Sequence, residues 1–110
     1  MTEIQERQIE GEVFRIMRHK LKGRNSDVEL KCWQMVTVSK AIYQRFGVMP
    51  YKIRLKHVLW YLDEEVFWII SENTAYRYYL AIKSFCECID KWGHWHRHIE
   101  KRSPRLRKKT

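Results

Sequence analysis

Long apolar runs are missing from this chain. Nowhere do about eighteen apolar residues follow one another, so no membrane-spanning helix is expected. Cysteine is scarce, with Cys32, Cys86 and Cys88 the only three. A small, odd number of thiols argues against a disulfide framework and fits a reducing, cytoplasmic setting. The opening Met1-Thr2-Glu3-Ile4-Gln5-Glu6 is neither basic nor apolar, so no signal peptide is expected. The motifs of common enzyme classes are absent too: no glycine-rich phosphate loop, no Gly-x-Ser-x-Gly, no His-Glu-x-x-His. The one acidic cluster, Asp63-Glu64-Glu65, reads as a helix start, where carboxylates favour the dipole. No histidine or nucleophile is tied to it by sequence. Catalysis, a cofactor and a small-molecule substrate are therefore not expected.

What is present is positive charge and a helical pattern. The chain has 110 residues, one domain's worth, and a net charge of +9. Its last ten residues hold Lys101, Arg102, Arg105, Arg107, Lys108 and Lys109 and no acid, which leaves +3 for the rest. Such a run reads as a disordered basic tail over 101–110, able to displace the counterions condensed on nucleic acid.

Residues 3–22 read as an amphipathic helix with Ile9, Val13, Ile16, Met17 and Leu21 on one stripe. Gly23-Arg24-Asn25-Ser26 is a loop by composition. Residues 28–38 fit two patterns. Val28, Cys32, Met35, Ser39, Ile42 and Phe46 share a helical face, while Val28, Leu30, Cys32, Val36 and Val38 alternate as in a strand. A helix is favoured from about Ser39 to Phe46, with Gly47 as its left-handed cap. Pro50 suits the start of another helix, and Leu55, Val58, Leu59 and Leu62 form the cleanest helical stripe. Asp63 reads as a break that caps 64–70, and Ser71 as the cap of a helix over 72–85. Two helices meeting at Ile70-Ser71 with almost no loop suggest a helix-turn-helix over 63–85.

The segment Ile70-Ser71-Glu72-Asn73-Thr74-Ala75-Tyr76-Arg77-Tyr78-Tyr79 carries a resemblance. Its Ile-Ser-x-x-Thr-x-x-Arg pattern is similar to the start of the recognition helix in winged helix-turn-helix transcription regulators. The likeness spans about 51–100, with Ile69 or Ile70 replacing the usual small residue in the turn. It implies a mostly α winged helix-turn-helix fold over 1–100, a three-helix core plus a β-hairpin wing, with the N-terminal helix as an addition. It implies a homodimeric regulator that reads double-stranded DNA at two half-sites.

The residues themselves support that expectation. Ala75, Tyr79, Ile82 and Cys86 share the inward face of the 72–85 helix, flanked by Tyr78 and Phe85. Asn73, Tyr76, Arg77, Leu80 and Ser84 face outward and suit the major groove, where Arg pairs with guanine and Asn with adenine. Ser71 and Thr74 suit a phosphate. Gly93 between two alternating stretches reads as a hairpin over 86–99, the wing, with Lys91, Trp92, His94 and Arg97 near its tip; the competing reading extends the helix through Trp92 with Gly93 as its cap. Arg105, Arg107, Lys108 and Lys109 would add phosphate contacts. Cys86, Cys88, His94, His96 and His98 are zinc-ligand types within thirteen residues. A two-residue hairpin turn puts the histidines and cysteines on opposite faces, and a loop longer by one brings them together. The Cys-x-Cys spacing is also tight for a finger, so no metal is expected. The 3–22 stripe, left over from the three-helix core, must either cap that core or meet a second copy, and a homodimer surface is the expectation. The alternatives are a protein-assembly module and a single-strand or RNA binder using exposed aromatics.

Overall fold

The computed structural model describes residues 1–66 and 71–107, with the side chains of 106 and 107 excepted. Among the described residues every regular element is a helix. Six are named here: α1 (Glu3–Met17), α2 (Asn25–Phe46), α3 (Leu55–Trp60), α4 (Glu72–Cys88), α5 (Trp92–Glu100) and the short α6 (Pro104–Arg107). A 3-10 turn at Pro50–Lys52 precedes α3, and Tyr61–Glu65 extends α3 as a π-helical turn.

α1 starts on a capping box. Thr2 Oγ1 accepts from the Gln5 N–H at 3.1 Å, and Gln5 Oε1 accepts from the Thr2 N–H at 2.9 Å. Its stripe Ile9, Val13, Ile16 and Met17 is buried in the chain's own core, against α2 and α4. The stripe expected to pair two copies is therefore not free to do so. It is needed because the core is built on α1, α2 and α4 rather than on the three helices after Pro50. Two ion pairs, Lys40–Glu10 at 3.8 Å and Arg18–Glu29 at 3.7 Å, join the antiparallel α1 and α2.

α2 settles the 28–38 ambiguity as helix. Val28, Cys32, Met35, Ser39 and Ile42 are buried at helical spacing. Val36 and Val38 are buried as well, on two flanks of that face. A helix covered from more than one side rewards them both, which outweighs the modest cost of β-branching. Thr37 stays outside and donates to the Trp33 carbonyl at 3.3 Å. Gly47, at φ 71°, closes α2 with its N–H on the Tyr43 carbonyl at 2.7 Å.

The expected wing is absent. α4 runs through Cys88, and Asp90 at φ 59° ends it. The Lys91 N–H reaches back to the Cys86 carbonyl at 2.9 Å, the six-to-one bond of a Schellman cap. α5 then begins at Trp92, with Gly93 inside its first turn. Trp92, Trp95 and Ile99 lie at i, i+3 and i+7, and Ile99 is fully buried. That helical stripe prevails over the two-residue alternation, because a hairpin there would leave Ile99 without the core. Asp90 is strained in this position. A left-handed residue with a side chain costs about 1–2 kcal/mol, and glycine returns about 0.4–1 kcal/mol of that through the unfolded chain. Asp90→Gly should thus raise stability by roughly 0.5–1 kcal/mol, read from the urea midpoint. A lower midpoint would mean the Asp90 side chain has a partner worth more than the strain.

Asp63 does not break the helix that holds it. The chain continues through it as the π-helical turn, and Asp63 Oδ1 takes Arg102 Nε at 2.8 Å. This pair helps to seat the segment expected to be a disordered tail. Arg102 also donates to the His98 carbonyl at 2.8 Å, Ser103 and Pro104 are buried, and the Arg105 guanidinium lies 4.0 Å from the Tyr76 ring centroid. The tail is therefore ordered from Lys101 into α6, since the polar and aromatic surface beside it supplies partners for its cations. Lys108 and Lys109 lie outside the described residues, as does the Ile69-Ile70 turn of the expected helix-turn-helix.

Candidate functional site

The expected DNA-reading residues do not form one surface. α4 is the central helix, packed on α1, α2, α5 and α6. Its second half is buried nearly all round at Ala81, Ile82, Ser84, Phe85, Cys86 and Cys88. Ser84 is only 6% exposed, so it cannot reach a groove. The inward assignment of Ala75, Tyr79, Ile82 and Cys86 agrees with their burial. At the start of α4, Ser71, Asn73, Thr74 and Arg77 are exposed, and Leu80 is half-buried beside Leu30 of α2. Ser71 Oγ accepts the Thr74 N–H at 3.3 Å, so this pair caps the helix. Tyr76 is stacked on Tyr79 and covered by Arg105. α3 packs on α5 and α2, and the first helix of the expected helix-turn-helix, 64–70, lies mostly outside the described residues.

The residues expected at the wing tip lie at the far end of α4. A helix of 17 residues is about 25 Å long, so Lys91 and Trp92 are roughly that far from Ser71, while α5 itself packs back on α4. Trp92 is half-buried under Lys83, whose Nζ stands 5.4 Å from the ring, and beside His96. His94 and Arg97 are exposed on α5. Arg107 has no described side chain. No group of three or more metal-ligand residues comes together among the described residues. Cys86 and Cys88 are buried in α4, and burial pushes the Cys86 thiol up to about 12 and the Cys88 thiol upward. The histidines stand apart from them on α5, where His96 meets Glu100 at 2.8 Å.

Only Lys91 of the expected set lines a cleft of about 760 Å³. One wall is the turn and helix start Pro50, Tyr51, Lys52, Ile53, Arg54, Leu55 and Lys56. The other is Ile89, Lys91 and Trp95, around the α4–α5 joint. Among the described residues four cations line it and no carboxylate does. Local bonds fix both walls. The Lys52 and Ile53 N–H groups close on Met49 and Pro50 carbonyls at 2.8 and 3.2 Å, and the Tyr51 N–H donates to Glu12 Oε1 at 3.3 Å. The Schellman cap holds Lys91. Lys20 Nζ donates to the Cys88 carbonyl at 2.6 Å, which brings the basic turn after α1 next to the same joint.

His57 anchors the wall from inside. Its Nδ1 accepts the Arg54 N–H at 2.9 Å, it is 3% exposed, and its ring lies 4.8 Å from that of Phe46. Burial holds its pKa below the ordinary 6.5, and Lys56 and Arg54 push the same way. The unfolded chain thus takes up a proton that the folded chain refuses. This contribution is complete above about pH 6.5 and is lost as pH falls through the folded-state value. The urea midpoint should drop below pH 6.5 in the parent. His57→Gln should lose that step, and an equal drop in the variant would place the titration elsewhere.

Sequence reasoning passed over Tyr51, Lys52, Arg54 and Lys56, though it counted the tryptophans of the expected wing, Trp92 and Trp95, as plausible contacts. The signal was there as alternating Lys-x-Arg-x-Lys at 52, 54 and 56, beside an aromatic residue. No protein-family model matches the chain, and no curated protein or solved structure matches it either. Among the described residues, no helix is long and apolar enough to cross a membrane.

Proposed function

We propose that this chain binds nucleic acid, gripping the sugar-phosphate backbone with the cleft between the 50–56 segment and the α4–α5 joint. The observation that supports this best is the lining of four cations, Lys52, Arg54, Lys56 and Lys91, with no acid among them. Cations gathered in a concave surface concentrate a polyanion, because the low-dielectric walls focus their field. Phosphates also answer to Lys and Arg without regard to sequence, by counterion release.

A groove-reading regulator finds less support. Its wing is replaced by α5, its Ser84 is buried and its Tyr76 is covered. The exposed Asn73, Thr74 and Arg77 favour duplex contact as a second reading. Fluorescence anisotropy of a labelled DNA on two variants separates them. The triple variant Lys52→Glu, Arg54→Glu, Lys56→Glu should lose binding, and Arg77→Ala should keep it. The reverse pattern would move the interface to the start of α4.

A further inference from the structure

The cleft is more than a basic surface, because its floor and rim are aromatic and apolar. Tyr51 is 56% exposed, one of the most exposed large hydrophobic side chains, and it stands at the rim. Its backbone is not free to move. Pro50 before it is buried, the 3-10 turn closes after it, and Glu12 holds its N–H. The ring is therefore presented to solvent on a pinned segment. Across the cleft Trp95 is half-buried on the first turn of α5, its N–H bonded to the Lys91 carbonyl at 2.9 Å. Ile53 is buried between the walls, and Leu55 and Ile89 are half-buried.

We infer that the cleft takes an unpaired nucleotide, with its base against the Tyr51 and Trp95 rings and its phosphate on Lys52, Arg54, Lys56 or Lys91. This rests on the nucleic-acid reading above and specifies what the cleft holds. Two features select the ligand. The volume, about 760 Å³, falls in the range of small-molecule sites, roughly 300–1,000 Å³. A flat aromatic group with an attached anion fits such a space, whereas a duplex can only lie across its mouth. The pairing of exposed rings with cations is also the chemistry of single-strand binding, where bases stack without sequence preference. A duplex keeps its bases stacked on one another and offers the rings nothing.

The same chemistry could come from a single strand or from a free nucleotide, and one titration separates them. The 110-residue chain is titrated with labelled oligo-dT, with a hairpin duplex of equal charge, and with oligo-dT in competition with free dTMP. Tyr51→Ala should weaken oligo-dT binding about 5- to 150-fold, leave the duplex unchanged, and keep the salt dependence of the parent. Tyr51→Phe should bind as the parent does, since the ring face remains. Displacement by dTMP at concentrations near those of the oligomer assigns the site to free nucleotides. Displacement only at great excess assigns it to strands, and both outcomes support an unpaired nucleotide. If Tyr51→Ala binds oligo-dT like the parent while the triple charge variant does not, base stacking is overturned and phosphate binding stands. If neither variant changes binding, both fall.

Discussion

Replacing Val13 and Met17 with aspartate is expected to unfold the chain, not to release a folded monomer from a dimer. Both side chains are fully buried between α1 and its neighbours. An ion forced into such a place carries a penalty of several kcal/mol even after relaxation. Two of them approach the whole stability of a small domain, about 5–15 kcal/mol. Nothing beside Val13 or Met17 on α1 offers a compensating cation inside the core. The buried face of α1 has only Ile9 and Ile16 besides them. Far-ultraviolet circular dichroism should show lost helix and no cooperative thermal transition. A variant that keeps a sharp transition and sediments as half the parent mass would show that the stripe joins two chains.

The second large effect is on binding. Each phosphate contact on a single strand contributes a slope of about 0.7 in log affinity against log salt. Between 0.1 M and the 1 M region where the effect fades, three contacts amount to roughly a hundredfold. Converting Lys52, Arg54 and Lys56 to glutamate should cost at least that, because the introduced carboxylates also repel. The three side chains are exposed, and the wall is held by backbone bonds and His57, so the fold should survive the change. Unchanged far-ultraviolet circular dichroism with a hundredfold weaker complex is the expected pair of results. Loss of helix would call for single Lys-to-Gln changes at 52 and 56, each expected to weaken binding about fivefold at 0.1 M salt.

Most of the helices were legible in the sequence, and the reasons are local. The 3–22 stripe, the Ser71 cap and the Gly47 terminus each depend on residues close in sequence, and each has its counterpart in the structure. The α1 helix stops at Met17, short of the expected boundary, as the chain turns toward Gly23. What misled was the overlap of two periods between Trp92 and Ile99. Trp92, His94, His96 and His98 alternate as a strand would, and Trp92, Trp95 and Ile99 repeat as a helix does. Only the core position of Ile99 decides between them, and that is set by distant segments. The likeness to a recognition helix is carried by ten residues whose capping role alone accounts for Ser71 and Thr74.

The site was harder to see, because its parts are far apart in the chain. Lys91 was singled out as a contact at the tip of a wing that is not there, and the cations it shares the cleft with, at 52, 54 and 56, are brought to it by tertiary packing. Nor does any local pattern announce that Tyr51 is exposed while Pro50 and Ile53 are buried. That depends on tertiary neighbours such as Glu12 on α1, thirty-nine residues earlier, which accepts the Tyr51 N–H. The basic tail, conspicuous as composition, spends Arg102 and Arg105 on Asp63 and Tyr76 within the fold.

The most direct test of nucleic-acid binding by the cleft is the slope of log affinity for oligo-dT against log salt, for the parent and the triple charge variant. Four cations on phosphates predict a slope near −2.8 for the parent, so affinity falls roughly fiftyfold from 50 to 200 mM salt. The variant should retain a slope no steeper than about −0.7, from Lys91 alone. Equal slopes in the two proteins would contradict the account, since the cations of the cleft would then not be the ones that meet the phosphates.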